Sequence, residues 1–213
     1  MTPAPSLIVH VVEDDDSLRL ALASLLRASN LAVALYKTAE EFLESCALAE
    51  PGCILLDVNL PGRSGVDLQA RLRATGCDLP IVFLTGHGTI PMTVQAMRAG
   101  AVEFLTKPFS AEDLLHAIQR AGEQGRVAWL ARQAEADLRE RYSSLSPRQR
   151  EVFALVAAGQ MNKVIAADLG ITEITVKVHR RQVMERLEVR TLADLVRAAE
   201  RLGVSAAGPS AQT

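Results

Sequence analysis

Residues 53–62 read CILLDVNLPG, and this stretch determines how the first half of the chain folds. Four apolar residues run directly into Asp57, and the turn-forming pair Pro61-Gly62 follows. A short apolar run bounded by turn residues is typical of a strand that is buried on both faces, as in a parallel sheet. Asp57 then stands at the carboxyl end of that strand, either as a turn residue or as a functional group.

The sequence on both sides of this stretch alternates short apolar runs with amphipathic segments. Such alternation predicts an α/β fold in which helices cover both faces of a parallel, doubly wound sheet. Strands are predicted at 7–12, 32–36, 53–56, 81–84 and 101–105, and helices at 17–29, 39–47, 65–74, 89–99 and 111–122.

Polar residues follow several of the predicted strands. In open parallel sheets, ligands bind outside the carboxyl ends of the strands, so Glu13, Asp14, Asp57, Thr85 and Lys107 are expected at one rim. Three carboxylates form a hard-oxygen site that suits Mg²⁺. The cation would allow Asp57 to attack phosphorus, with Lys107 pairing with the phosphoryl oxygens and Thr85 donating a hydroxyl hydrogen bond.

Each of these residues also has an ordinary structural explanation. The acidic run at 13–16 is typical of a solvated helix cap, and Thr85-Gly86 and Lys107-Pro108 are common loop pairs. Their occurrence in order at successive strand ends favours a single site. A cis Lys107-Pro108 bond is expected, because a sharp turn there would aim the ammonium inward.

Charge is distributed unevenly along the 213 residues, whose formal net charge is −2. Residues 1–124 hold 9 Lys+Arg and 15 Asp+Glu, residues 125–143 hold 4 and 3, and residues 144–213 hold 10 and 7. This asymmetry indicates a cation site followed by an anionic partner, although chance variation explains it equally well. No apolar run approaches the roughly 20 residues of a membrane span, and a cytoplasmic location without a membrane partner is expected.

The last third of the chain has a helix-turn-helix pattern. A unit begins at Ser146-Pro147, a plausible N-cap and first-turn pair. Two helices, 162–169 and 173–187, then flank a turn that contains Gly170. Lys177 and Arg181 are four residues apart, on one face, and are candidates to read guanine edges. Asn162 and Lys163 are placed for phosphate contacts. The alternative is a helical bundle with solvated basic residues.

Both halves resemble known bacterial domains. The motifs VVEDDDSLR, CILLDVNLPGRSG, IVFLTGHG and AVEFLTKPF resemble the receiver domains of two-component response regulators, which have a CheY-like, flavodoxin-like fold. The resemblance implies that Asp57 is the phosphoacceptor for a sensor histidine kinase. It also implies that Asp14 binds Mg²⁺ (or Mn²⁺) directly, that Glu13 binds partly through water, and that the Asn59 backbone carbonyl is a further ligand.

The resemblance assigns the conformational switch as well. Thr85 and Lys107 match the hydroxyl and lysine that sense the phosphoryl group, and Phe104 matches the aromatic residue that fills the space vacated by the hydroxyl. As an alternative, Phe104 is a core residue. Asp57 and Lys107 are the catalytic groups of Mg²⁺-dependent self-phosphorylation and dephosphorylation, and the resemblance implies no other enzymatic activity.

The stretch 145–196 resembles the small, all-α LuxR-type (GerE) DNA-binding domain. Together with a receiver, it defines the NarL/FixJ class, and residues 87–109 are most similar to the FixJ-like branch. The resemblance implies a transcription activator that binds promoter DNA and RNA polymerase. The expected phosphorylation-dependent homodimer forms through 90–98 and 102–104, with the last helix, 191–202, as a second contact. Implied base contacts are Lys177, Val178 and Arg181, with Thr175, His179 and Arg180 nearby.

The predicted domain boundaries are a receiver at 1–122, an exposed linker helix at 123–143 that continues from the receiver, a DNA-binding domain at 144–204 and a disordered tail at 205–213. Two rival functions are weighed against this organisation. A haloacid-dehalogenase-like phosphohydrolase needs a carboxylate two residues after the nucleophile, where Asn59 stands here. A LuxR-type sensor of a small apolar signal is disfavoured by the acidic rim of the first domain.

Overall fold

The structure is a computed structural model that describes residues 6–45, 50–62, 64–86 and 90–204. The predicted tail, 205–213, the last two residues of the predicted second helix, 46–47, and the first residue of the predicted fourth helix, 89, lie outside the described residues. Backbone contacts divide the chain into two units, residues 1–131 and 132–213. In the described part of the chain, no helix is long and apolar enough to cross a membrane.

The first unit is a five-stranded, all-parallel sheet with the strand order β2-β1-β3-β4-β5. This topology confirms the predicted doubly wound α/β fold. The strands are β1 (Ile8–Val12), β2 (Ala32–Tyr36), β3 (Gly52–Asp57), β4 (Ile81–Thr85) and β5 (Glu103–Thr106). The helices are α1 (Asp16–Ala28), α2 (Ala39–Ser45), α3 (Gly65–Ala74), α4 (Ile90–Arg98) and the first part of α5 (Ala111–Ser143).

Strand β3 is buried along its whole length because helices pack on both of its faces. Successive side chains of a strand point to opposite faces, so Ile54 and Leu56 belong to one core cluster and Cys53 and Leu55 to the other. Burial raises the pKa of the Cys53 thiol to about 12, which keeps it protonated and unreactive. The core therefore fixes β3 firmly, and with it the position of Asp57.

Helix α5 runs through the predicted receiver helix and the predicted linker as one element of 33 residues. Two glycines let it approach the sheet closely. A Cβ atom at Gly125 would overlap the carbonyl oxygen of Gly52, and one at Gly122 would overlap the side chain of Leu7. The helix backbone consequently rests directly on the amino end of β3.

The second unit is helical, as predicted. After the end of α5 come α6 (Pro147–Ala157), α7 (Asn162–Leu169), α8 (Glu173–Arg186) and α9 (Leu192–Leu202). Ser146 and Gln149 form a capping box at the start of α6, with Pro147 in its first turn. Gly170, at φ +64°, ends α7, and Thr172 caps α8. The core of the second unit includes the fully buried side chains of Phe153, Ile165, Val176 and Val183.

Candidate phosphoacceptor site and candidate DNA interface

Three carboxylates meet at the carboxyl edge of the sheet. Glu13 follows β1 and Asp57 ends β3, and these two strands are neighbours, so the fold brings together residues that are far apart in sequence. One carboxylate oxygen from each of Glu13, Asp14 and Asp57 lies within 4.8 Å of the other two. Glu13 and Asp57 are only 1% and 5% exposed, whereas Asp14 is half-buried. Asp14 therefore stands on the open side of the cluster.

Lys107 supplies the positive charge of the cluster. Its Nζ lies 2.6 Å from Oδ2 of Asp57 and 2.8 Å from Oε2 of Glu13. The Lys107 backbone N–H donates to the carbonyl oxygen of Thr85 at 2.7 Å, and the bond to Pro108 is cis, as predicted. Three carboxylates and one ammonium leave two negative charges in hard oxygen donors, which fits a divalent cation such as Mg²⁺.

Burial and pairing shift the pKa values of this cluster. Burial raises the pKa of Glu13 above its usual range, and the nearby Asp57 raises it further, although the hydrogen bond from Lys107 opposes the shift. For Lys107, burial lowers the pKa, but the hydrogen bonds to Asp57 and Glu13 outweigh burial, so the pKa rises. Lys107 therefore stays charged, while Glu13 takes up a proton at a higher pH than an exposed glutamate.

Two of the predicted switch residues, Thr85 and Phe104, belong to the same face of the sheet, because Phe104 is the register partner of Phe83, two residues before Thr85. Thr85 is the last residue of β4 and is completely buried, and its register partner on β5 is Thr106. Phe104 is half-buried, and its ring packs against Phe83 with centroids 5.9 Å apart. The Asn59 backbone N–H donates to Oδ1 of Asp57 at 2.9 Å, which holds this loop against the phosphoacceptor candidate.

Arg19 is a residue of this site that the sequence analysis missed. Its Nη1 donates to the backbone carbonyls of Glu13 and Asp14, at 2.8 and 3.4 Å. The other nitrogen, Nη2, pairs with the carboxylate of Asp16. A cation in the first turns of the helix that follows an acidic loop was the available signal. Asp15, for its part, is the N-cap of α1, and its Oδ1 accepts from the Leu18 N–H at 2.9 Å.

In the second unit, predicted DNA-contact residues line a cleft of about 950 Å³. Arg180 donates to Oδ1 of Asn162 at 2.6 Å, joining the start of α7 to α8. Arg181 pairs with Glu185 at 2.7 Å on the exposed side of α8. The predicted residues in the cleft wall are Asn162, Lys177, Arg180 and Arg181, and Arg190, which was not predicted, joins them. Arg190 was missed because it follows the helix-turn-helix pattern.

The other predicted contact residues differ in exposure. Val178 and Lys163 are exposed, whereas Thr175 and His179 are half-buried. The Thr175 hydroxyl lies 2.9 Å from the Thr172 hydroxyl, within the cap of α8. The buried Nδ1 of His179 has no hydrogen-bond partner among the described residues. Val178, the apolar residue among the predicted base contacts, is 49% exposed.

Comparison with known proteins identifies both units. Residues 9–119 match the family described as the response regulator receiver domain. Residues 143–199 match the bacterial regulatory proteins of the luxR family. The chain belongs to the response regulators, with a receiver domain and a LuxR-type helix-turn-helix DNA-binding domain.

Similar proteins of the same organisation cover almost the whole chain. Nodulation protein W of Bradyrhizobium diazoefficiens is 48% identical over 199 residues, 93% of this chain and 88% of its own. The transcriptional regulatory protein FixJ of Azorhizobium caulinodans is 40% identical over 212 residues, 98% and 99% of the two chains. The solved structure of the response regulator StyR is 45% identical, with a TM-score of 0.77, and covers 92% of this chain and 99% of its own. The protein is accordingly a response regulator whose relatives include transcriptional regulators.

Proposed function

We propose that Asp57 accepts a phosphoryl group from a sensor histidine kinase and that this modification controls binding of the second domain to promoter DNA. The observation that carries the proposal is the ion pair between the buried Asp57 and the half-buried Lys107, with Nζ 2.6 Å from Oδ2. A carboxylate at a strand end, next to a cation and two further carboxylates, is arranged to receive phosphorus.

In the proposed reaction, a carboxylate oxygen of Asp57 attacks the phosphorus of a phosphohistidine. An O–P bond forms, the N–P bond breaks, and the imidazole leaves with the electron pair of that bond. Bound Mg²⁺ or Mn²⁺, held by Glu13, Asp14, Asp57 and the Asn59 carbonyl, would neutralise negative charge on the phosphoryl oxygens. The Lys107 ammonium then turns from the Asp57 carboxylate to a phosphoryl oxygen, so it has a negatively charged partner before and after the reaction.

The proposed switch uses the residues around the new phosphoryl group. The Thr85 hydroxyl donates to a phosphoryl oxygen, and the ring of Phe104 moves into the space that the hydroxyl leaves. Partial burial of Phe104 against Phe83 is consistent with a side chain that can pack more deeply. Val94 and Met97 of α4 are 43% and 42% exposed, and they provide apolar surface for the proposed dimer through α4 and β5.

Dimerisation places two DNA-binding domains on adjacent half-sites, so two weak contacts act as one strong contact. We assign Lys177, Val178 and Arg181 to base edges, and Asn162 and Lys163 to phosphates. Thr175, His179 and Arg180 are further candidates for DNA contact on the same helix. Leu192, 49% exposed at the start of α9, belongs to the proposed second dimer contact. RNA polymerase is the proposed downstream partner.

The proposed division remains a receiver at 1–122, a linker at 123–143 and a DNA-binding domain at 144–204.

The test uses the full-length protein, a small phosphodonor and Mg²⁺. We expect the wild type to gain the mass of one phosphoryl group and Asp57→Ala to show no such gain. Phosphorylation should also increase the fraction of dimer and the affinity for DNA. Asp137→Ala, an exposed aspartate on α5, is the matched control and should behave as the wild type. Mass spectrometry with no Mg²⁺-dependent gain, or DNA affinity unaffected by the gain, would refute the proposal.

A further inference from the structure

The turn between β1 and α1 is held from behind by Arg19. The Arg19 side chain is only 15% exposed, and its guanidinium faces three acceptors: the carbonyls of Glu13 and Asp14 and the carboxylate of Asp16. A largely buried guanidinium has to be compensated by partners of this kind. Two of the partners lie in the turn that carries two of the candidate metal ligands, and the third, Asp16, is the first residue of α1. Arg19 therefore ties this turn to the start of the helix.

These contacts fix the orientation of individual peptide groups. In a trans peptide, the C=O and the N–H point in opposite directions. The Asp14 carbonyl faces Arg19, and the N–H of the same peptide group, which belongs to Asp15, faces Oε1 of Glu13 at 3.4 Å. The guanidinium and the Glu13 carboxylate therefore hold the two ends of one peptide group. The directions in which Glu13 and Asp14 project their carboxylates depend on that orientation.

We propose that Arg19 is a positioning residue for the divalent cation, which acts by clamping the backbone that presents Glu13 and Asp14. The inference rests on the proposed function, because it assumes that this cluster binds the cation. Arg19 does not contact a carboxylate of the cluster, so its effect is transmitted through the peptide groups. Groups that orient ligands in this way commonly change metal affinity by about ten- to a hundredfold.

The rival explanation is that Arg19 is only a nearby positive charge. The two explanations predict opposite signs. A positive charge close to the site repels Mg²⁺, so removing it in Arg19→Gln would tighten binding. Loss of the clamp would weaken binding. Arg19→Lys retains the charge but lacks the planar fork that places one nitrogen on the two carbonyls and the other on the Asp16 carboxylate, so it weakens binding only if the clamp matters.

The experiment measures Mg²⁺ affinity of the full-length protein by calorimetry, and the Mg²⁺ concentration that gives half-maximal phosphorylation by a small phosphodonor. We expect both Arg19→Lys and Arg19→Gln to bind Mg²⁺ about tenfold more weakly. At saturating Mg²⁺, the phosphorylation rate of Arg19→Lys should return to within about twofold of the wild type, because Asp57 and Lys107 are intact. Arg27→Gln, an exposed arginine in the last turn of α1, is the matched control and should bind as the wild type.

The outcomes separate this inference from the proposed function. Tighter binding by Arg19→Gln, or unchanged binding by Arg19→Lys, would overturn the clamp and leave the metal site in place. A wild type that binds no Mg²⁺ would overturn the proposed function itself. Circular dichroism without Mg²⁺ checks the fold of each variant, and if Arg19→Gln fails to fold, the milder Arg19→Lys decides the question.

Discussion

The two domains carry their functional charges in opposite ways. In the receiver, Glu13 and Asp57 are almost fully buried, and the fold assembles the site from separate strands. In the DNA-binding domain, Lys177 and Arg181 are exposed on a single helix. A buried charge is costly unless each partner is in place, whereas an exposed charge is solvated and individually replaceable. Receiver substitutions should therefore change stability as well as function, and substitutions on the DNA-binding face should change binding alone.

Lys107→Ala provides the strongest test of this contrast. Removing the ammonium leaves Glu13 and Asp57 as uncompensated neighbours, so we expect the free energy of unfolding without metal to fall by about 2 kcal/mol. This value lies below that of a fully buried pair because the Lys107 side chain is 24% exposed. Addition of Mg²⁺ should recover much of the loss, since the cation replaces the missing charge. Denaturant unfolding with and without Mg²⁺ measures both effects.

Lys37→Ala is the control for this experiment. Lys37 lies 3.7 Å from Asp16 in an exposed pair, and its loss should cost at most about 0.5 kcal/mol. Equal losses for Lys37→Ala and Lys107→Ala would break the distinction between buried and exposed charges.

Lys177→Ala tests the other side of the contrast. We expect a loss of about 2 kcal/mol in binding to a DNA site selected by the wild type, with relaxed preference at one base pair. Lys163→Ala should weaken binding to all sequences alike and reduce the salt slope by about 1. Both variants should unfold as the wild type does. Fluorescence anisotropy at several salt concentrations measures the binding, and identical base preferences for both variants would contradict the assignment.

Gly125→Ala sharpens the contrast at a position without charge. Alanine is the better helix former, yet its Cβ would overlap the Gly52 carbonyl oxygen, so we expect a net destabilisation of about 1 kcal/mol. Trp129, the single tryptophan of the sequence, lies one turn further along α5 and reports any displacement by its fluorescence. Gln124→Ala, on the same helix and exposed, should be neutral. If Gly125→Ala were more stable than the wild type, α5 would not pack closely against the Gly52 carbonyl.

The smallest expected effect is a dependence of Mg²⁺ binding on pH. Because the pKa of Glu13 is raised by burial, protons compete with Mg²⁺ at a higher pH than the usual glutamate pKa of about 4.3 would allow. Mg²⁺ affinity should fall as pH falls through this raised pKa. The stability of the metal-free protein depends on pH in the opposite direction. Because the folded state binds the Glu13 proton more tightly than the unfolded state does, this proton stabilises the fold at low pH, and the stabilisation is lost as pH rises through the raised pKa. Calorimetric titrations across this range, with Glu13→Gln as the comparison, measure the effect.

The sequence allowed the receiver fold and its carboxylate cluster to be predicted because both depend on local patterns. The apolar run before Asp57 identifies a buried strand, and the rule that ligands lie at strand ends brings Glu13, Thr85 and Lys107 to the same edge. The contacts of Arg19 were not predictable in this way. They involve backbone carbonyls, whose directions depend on the folded turn, and the sequence shows only that a cation follows the acidic run.

Helix α5 illustrates a second limit. The polar composition from residue 123 predicted an exposed helix that continues from the receiver, and α5 does continue to Ser143 without interruption. Composition could not indicate where along this helix the receiver ends. Composition reports solvent exposure, whereas helix continuity depends on backbone hydrogen bonds and on the absence of proline. In the same way, the cleft residue Arg190 lies outside any helical pattern and was recognised only from its place in the fold.

The acidic run that begins at Glu13 gives four neighbouring carboxyl groups four different roles. The Glu13 carboxylate accepts from Lys107, an Asp14 oxygen joins the carboxylate cluster, Asp15 caps α1, and Asp16 pairs with Arg19. Exchanging Glu13 with any one of the three aspartates would leave the charge and composition unchanged, yet it would place a side chain of different length at both positions. One residue inserted after Asp14 would separate the ligands from the beginning of the helix, so assembly of the site and initiation of α1 are coupled in a single short turn.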